Sequence, residues 1–142
     1  MSKKYTWYWN YIQENNKGRQ NKTKEKLYRR VLSARRRWSK NYNLPLKEID
    51  SLIKESLGGY CRYCGEEITT ENMALDHKTP QSRGGKDSIS NVHIVCQPCN
   101  KKKGILTHKE YTKLWDVVFM WDDEAQKYIN QSLSSQVWSQ WN

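Results

Sequence analysis

The stretch CRYCGEEITTENMALDHKTPQSRGGKDSISNVHIVCQPCNKKKG, residues 61–104, decides the fold. It opens on Cys61-Arg62-Tyr63-Cys64 and nears its end with Cys96-Gln97-Pro98-Cys99, two C-x2-C pairs separated by 31 residues. Each pair can form a tight knuckle, and two knuckles offer four sulfurs to one tetrahedral Zn2+. Gly65 after the first pair and Pro98 inside the second suit tight turns. Four thiolates leave no open position for water or substrate, so the zinc at Cys61, Cys64, Cys96 and Cys99 is expected to be structural. A thioredoxin-like redox role for one pair leaves the other unexplained and lacks a βαβ context.

Composition agrees with a need for such a staple. The chain has 142 residues, 36% of them hydrophobic, so its core is modest. No run of 18 apolar residues exists, and the opening Met1-Ser-Lys-Lys-Tyr-Thr-Trp lacks the apolar segment of a secretory signal. A cytoplasmic location in a bacterial or phage-infected cell is expected, with no membrane partner, and there reduced cysteines favour zinc over disulfides. The net charge of +10 is unevenly spread. Residues 1–60 carry 15 Lys/Arg against 5 Asp/Glu, residues 61–104 carry 7 against 5, and residues 105–142 carry 3 against 5. That polarity suits a phosphate-binding N-terminal surface.

Around the cysteine segment the chain reads as helical. Tyr5, Trp7, Tyr8, Trp9 and Tyr11 either anchor the N-terminus or touch nucleic acid, and the Asn/Gly-rich run after them reads as a loop. A helix is expected over residues 23–40, with Leu27, Val31 and Trp38 on one side. Its other faces hold Lys24, Lys26, Arg29, Arg30, Arg35, Arg36, Arg37 and Lys40 against Glu25 alone, which makes it a candidate DNA arm separable from any chemistry. Pro45 starts a second helix with Leu46, Ile49, Leu52 and Ile53 as its stripe, and Gly58 and Gly59 end it. Thr107 and Glu110 form a capping box for a helix to about residue 121; residues 125–133 extend it or begin another, and Val137, Trp138 and Trp141 dock back or meet a partner. The expected organisation is a basic helical DNA-binding region over 1–57, a compact core over 58–104 and a helical region over 105–142.

Between the knuckles lie Asp76 and His77, then Asn91 and His93, with Asn100 directly after Cys99. Asp76 and Asn100 are oxygen ligands, suited to Mg2+ or another hard cation. The pattern Cys61-x2-Cys64…Asp76-His77…Pro80-x-Ser82-x-Gly84-Gly85…Asn91…Cys96-x2-Cys99-Asn100…Lys103-Gly104 resembles the cysteine-bearing branch of the HNH endonuclease family. It is similar to phage and group I intron-encoded homing enzymes and to restriction nucleases. The distances from His77 to Asn91 and to Asn100 also resemble those in the HNH domain of RNA-guided DNA nucleases, which lacks the cysteines.

The resemblance implies an α+β fold: a zinc-stapled, treble-clef-like ββα-metal core flanked by helices. Its first strand would end near Asp76 and His77, its second would cover residues 92–95, and a helix starting at residues 97–99 would carry Asn100. It further implies metal-dependent hydrolysis of double-stranded DNA to 5′-phosphate and 3′-hydroxyl ends. Asp76 and Asn100 would hold one Mg2+ or Mn2+, His77 would be the general base, and Asn91 would hold the loop that orients it. The last position of the family motif is Asn100 rather than His, so Asp76 alone would bring negative charge to the cation. Besides Arg29, Arg30, Arg35, Arg36 and Arg37, the candidate phosphate contacts are Arg83, Lys86, Lys101, Lys102 and Lys103. His93 touches the scissile phosphate, touches a backbone carbonyl, or packs; His108 is structural or solvated.

No small-molecule cofactor is expected, and monomer and homodimer both remain open. A phage or intron homing role is favoured by the compact motif between helices able to read an extended site, with restriction as the alternative role. A non-catalytic zinc module that binds nucleic acid explains the cysteines and the charge, but not Asp76, His77 and Asn100 together. A treble-clef adaptor using Trp-rich ends is the remaining alternative.

Overall fold

The computed structural model describes residues 6–119 and Lys127. The order of elements is α1 (Thr6–Asn15), α2 (Asn21–Asn41), α3 (Leu46–Ser56), β1 (Met73–His77), β2 (Val92–Cys96), α4 (Gln97–Lys103) and α5 (His108–Phe119). The mixed helical and two-stranded architecture is the expected α+β arrangement around a four-cysteine cluster. No helix among the described residues is long and apolar enough to cross a membrane. The expectations for residues 125–133 and for Val137, Trp138 and Trp141 lie outside the described residues.

The helices form where apolar side chains recur at three- and four-residue steps. In α2, Val31, Ala34 and Trp38 are buried with Tyr28, and the Tyr42 N–H closes the helix on the Trp38 carbonyl at 3.0 Å. Pro45 precedes α3, whose Ile49 and Ile53 are fully buried one turn apart. The capping box forms as expected: the Thr107 N–H donates to Glu110 Oε1 at 2.9 Å, and the Glu110 N–H donates to Thr107 Oγ1 at 3.2 Å.

β1 and β2 are antiparallel, with Met73 opposite Cys96, Asp76 opposite His93 and His77 opposite Val92. Every residue of β1 is buried. One continuous core runs from Tyr8 and Ile12 of α1 through α2 and α3 to the sheet, the cysteines and Tyr111.

Trp7, Tyr8, Trp9 and Tyr11 lie in helix α1, where Tyr8 and Ile12, four residues apart, turn inward; Tyr5 lies outside the described residues. The Tyr8 hydroxyl donates to Asp50 of α3, so these aromatics include an anchor into the core. Arg35 is not a phosphate contact. It is buried on the packed face of α2 and pairs with Asp50 through Nε and through Nη2 at 3.2 Å. Four residues after Val31 and three before Trp38, Arg35 lies on the apolar stripe, and Asp50 supplies the charge it needs there.

This pairing yields a stability prediction. The Arg35 and Asp50 side chains keep 11% and 21% of their exposure, so Arg35→Ala should cost less than the roughly 3–5 kcal/mol of a fully buried pair, about 2 kcal/mol. Arg36→Ala and Arg37→Ala, on the exposed side of the same helix, should stay within about 0.5 kcal/mol. Urea unfolding of the three variants checks the contrast; equal loss in all three would contradict the buried pair.

Candidate active site and zinc staple

The first knuckle turns because the Gly65 N–H reaches the Cys61 carbonyl at 2.8 Å and Gly65 adopts a φ of 79°. The second is built across an element boundary: Cys96 ends β2 and Cys99 lies in the first turn of α4, beside Pro98. The four sulfurs lie within 4.8 Å of one another, with Cys64 and Cys96 Sγ 3.5 Å apart. Zn–S bonds of about 2.3 Å give tetrahedral edges near ~3.8 Å, so the cluster fits Zn2+ and a structural zinc role. Cys61 is pushed down to about 4, chiefly by the Cys99 thiol hydrogen-bonding to it, whereas burial pushes Cys96 up to about 11. Four sulfurs at this range cannot all ionise without a cation among them.

Asp76 and His77 are consecutive in β1 and face opposite ways. Asp76 is buried and faces α4 and the first knuckle. Its Oδ1 accepts from Lys103 Nζ at 3.1 Å and its Oδ2 from His93 Nε2 at 2.6 Å. Lys103, also buried, donates to the His77 carbonyl at 2.9 Å. His93 Nδ1 is buried without a hydrogen-bond partner among the described residues. Beside this group, the Tyr63 hydroxyl lies 2.7 Å from His108 Nδ1 and 3.4 Å from His93 Nε2. Burial, followed by the nearby His93, lowers the pKa of His108.

His77 turns toward the connection between α2 and α3. Its ring packs on Tyr42 at 4.9 Å between centroids, and its Nε2 meets Asp87 Oδ1 at 2.7 Å. Asp87 Oδ2 accepts the Asn43 N–H at 3.0 Å, and Oδ1 also accepts from Gln81 Nε2 at 2.9 Å. The Asn43 N–H and then His77 hold the Asp87 carboxyl below the usual carboxylate range. The residues just after α2 thus hold both His77 and its partner.

Asn91 braces the loop between the strands. Its amide nitrogen donates to the Thr79 and Lys86 carbonyls at 3.1 and 2.9 Å, and its Oδ1 accepts from the Thr79 N–H at 3.0 Å. The glycine pair completes the turn. Gly84 has a φ of 86°, and a Cβ on Gly85 would lie 1.7 Å from the Thr79 carbonyl oxygen, so a side chain there is incompatible with this loop.

The candidate cationic residues divide by surroundings. Lys103 is no phosphate contact, because it is spent inside the protein on Asp76 and the His77 carbonyl. Arg30 pairs with Glu71 at 2.6 Å, and Arg83 pairs with Glu110. Arg29, Arg36, Arg37, Lys86 and Lys101 are exposed and Lys102 is half-buried. A cleft of about 730 Å³ runs between α2 and β1, lined by Arg30, Arg37, Tyr42, Leu75, Gln97 and Asn100 among others. Asn100 thus opens onto this cleft from α4, while Asp76 lies against Lys103 and His93. Sequence reading missed Asp87, Tyr42, Asn43 and Tyr63; Asp87, ten residues after His77 in the same loop, was the one most open to detection.

Residues 61–115, which hold the four-cysteine cluster, match the sequence model of the HNH endonuclease family. A 45-residue segment, 31% of the chain, is 40% identical to the CRISPR-associated endonuclease Cas9 of Corynebacterium diphtheriae, of which it covers 4%.

The staple makes its own prediction. Elemental analysis of protein purified without chelator should find about one zinc per chain, and Cys99→Ser should lose both the metal and cooperative unfolding. A zinc-free preparation that still unfolds cooperatively would refute the staple.

Proposed function

We propose that the chain is a metal-dependent endonuclease that hydrolyses double-stranded DNA, with His77 as general base, leaving 5′-phosphate and 3′-hydroxyl ends. The observation that carries this reading is the placement of His77, held by Asp87 and Tyr42 at the end of β1, with the Asp76 carboxylate next to it in the chain. A neutral imidazole, with a reference pKa near ~6.5, can take a proton from the attacking water. Asp76 and Asn100 would supply hard oxygen donors of the kind that Mg2+ or Mn2+ takes, and a cation there would have to replace Lys103 or His93, which hold both Asp76 oxygens. Bound there, the cation would neutralise charge developing on the phosphate and the leaving oxygen. Asn91 keeps the loop carrying Asp87 in place through the Lys86 carbonyl.

The phosphate backbone is assigned to the basic side of α2. Arg37 and Arg30 line the cleft that Asn100 opens onto, and Arg29 and Arg36 lie exposed on the same helix. Lys86, Lys101 and Lys102 extend this charge around the loop and α4, and Arg83 joins them by exchanging Glu110 for phosphate. A small nuclease core between helices that can read an extended site suits a phage or group I intron homing enzyme.

Plasmid incubated with purified protein should be cut with Mg2+ or Mn2+ and remain intact in EDTA; strong cutting in EDTA would overturn the mechanism. His77→Ala should lower single-turnover cleavage by roughly 10²–10⁴-fold with little change in DNA affinity, and an unchanged rate would remove the base from His77. For the arm, the variant combining Arg29→Ala, Arg36→Ala and Arg37→Ala should bind duplex DNA more weakly, with the salt slope of log K reduced by about 0.9 per lost phosphate contact. Fluorescence anisotropy across a salt series reads it. An unchanged slope in the folded variant would move DNA recognition elsewhere.

A further inference from the structure

The contact between His77 and Asp87 goes beyond loop packing, because it decides which nitrogen of the imidazole carries the proton. Asp87 Oδ1, an ionised acceptor, lies 2.7 Å from Nε2. Among the described residues, no hydrogen-bond partner is found for Nδ1. The carboxylate is itself fixed from two directions. The Asn43 backbone N–H, a donor that cannot reverse, holds Oδ2 at 3.0 Å, and Gln81 Nε2 holds Oδ1 at 2.9 Å. Tyr42 packs on the ring and limits its rotation.

We propose that Asp87 is the positioning residue that selects the His77 tautomer, taking Nε2–H and leaving the Nδ1 lone pair as the proton acceptor. The assignment deepens the general-base reading of His77 and rests on it for its catalytic consequence. Asp87 touches neither substrate nor reacting atoms in this role; it acts through the ring. A carboxylate can do this because it only accepts, and the group behind it, Asn43 N–H, only donates.

The donor pattern makes Asp87→Asn the informative substitution. Its amide oxygen is drawn to the Asn43 N–H, which turns its NH2 toward His77 Nε2. Nε2 must then accept, and the proton moves to Nδ1. Shape and loop packing are nearly conserved.

The test uses the zinc-loaded full chain, with ¹⁵N-labelled histidine ring spectra recorded above the imidazole titration range. His77 should show the Nε2–H tautomer in the wild type and the Nδ1–H tautomer in Asp87→Asn. Single-turnover cleavage with Mg2+ should fall by about 10²–10⁴-fold, as expected for a base presented in the wrong tautomer, while DNA affinity stays the same. A wild-type His77 with its proton on Nδ1, or one tautomer shared by both proteins, overturns the proposal; the wild-type spectrum tests it even if the variant fails to fold. A tautomer that switches while cleavage is unchanged leaves the positioning role standing and removes the general base from His77.

Discussion

The four-sulfur cluster is the constraint on which the other contacts depend. Two strands of five residues each make a marginal sheet in isolation. Because Cys96 ends β2 and lies opposite Met73 at the start of β1, the ladder and the staple share one end. A zinc held by the four sulfurs would tie that end to the first knuckle and to the first turn of α4. Tyr63, between Cys61 and Cys64, thereby reaches His93 and His108. Lys103, four residues after Cys99, returns along α4 to Asp76. The cysteine cluster lies at the end of the ladder away from Asp76 and His77, so what a metal there would contribute to them is register. A slip of one residue would exchange the faces of Asp76 and His77 and break both of their networks.

That alternation separates two electrostatic tasks. On the α4 side, a buried carboxylate is compensated by an ammonium and an imidazole. On the other side, His77 has one fixed partner and one ring contact, and neither neutralises it by a second hydrogen bond. The Lys103 contact with the His77 carbonyl links the two sides through the backbone. Asp76 and His77 are thus neighbours in the chain with separate supports.

What was legible in the sequence was local. Cysteine spacing and the capping box depend on residues close in the chain, and the ends of β1 and β2 and the start of α4 stand where the family resemblance puts them. What was not legible depended on partners distant in the chain. Arg35 and Lys103 read as surface cations because Asp50 and Asp76, which justify their burial, are 15 and 27 residues away. The apolar spacing around Arg35 was a usable signal, and the basic run Arg35 to Arg37 obscured it. Helix α1 was hidden because aromatics are indifferent helix formers and its inward pair, Tyr8 and Ile12, sits among three outer aromatics. Asp87 carried no motif; its role comes from Asn43, 44 residues earlier.

The position of α2 gives its charges a second consequence. Arg37 and Tyr42 are five residues apart, about 7.5 Å along a helix axis, so Arg37 lies little more than one turn from the residues that hold His77 and Asp87. Phosphate contacts on α2 would therefore also load the support of the candidate base. Binding energy gained away from the scissile bond can then be spent on orienting the group that attacks it, where a small misplacement is costly in rate. A detachable DNA-binding arm could supply affinity alone. In this chain the Arg35–Asp50 pair fixes α2 to α3, and the Tyr8 hydroxyl ties α1 to the same carboxylate, so a phosphate-binding α2 would belong to the same packed body that carries His77.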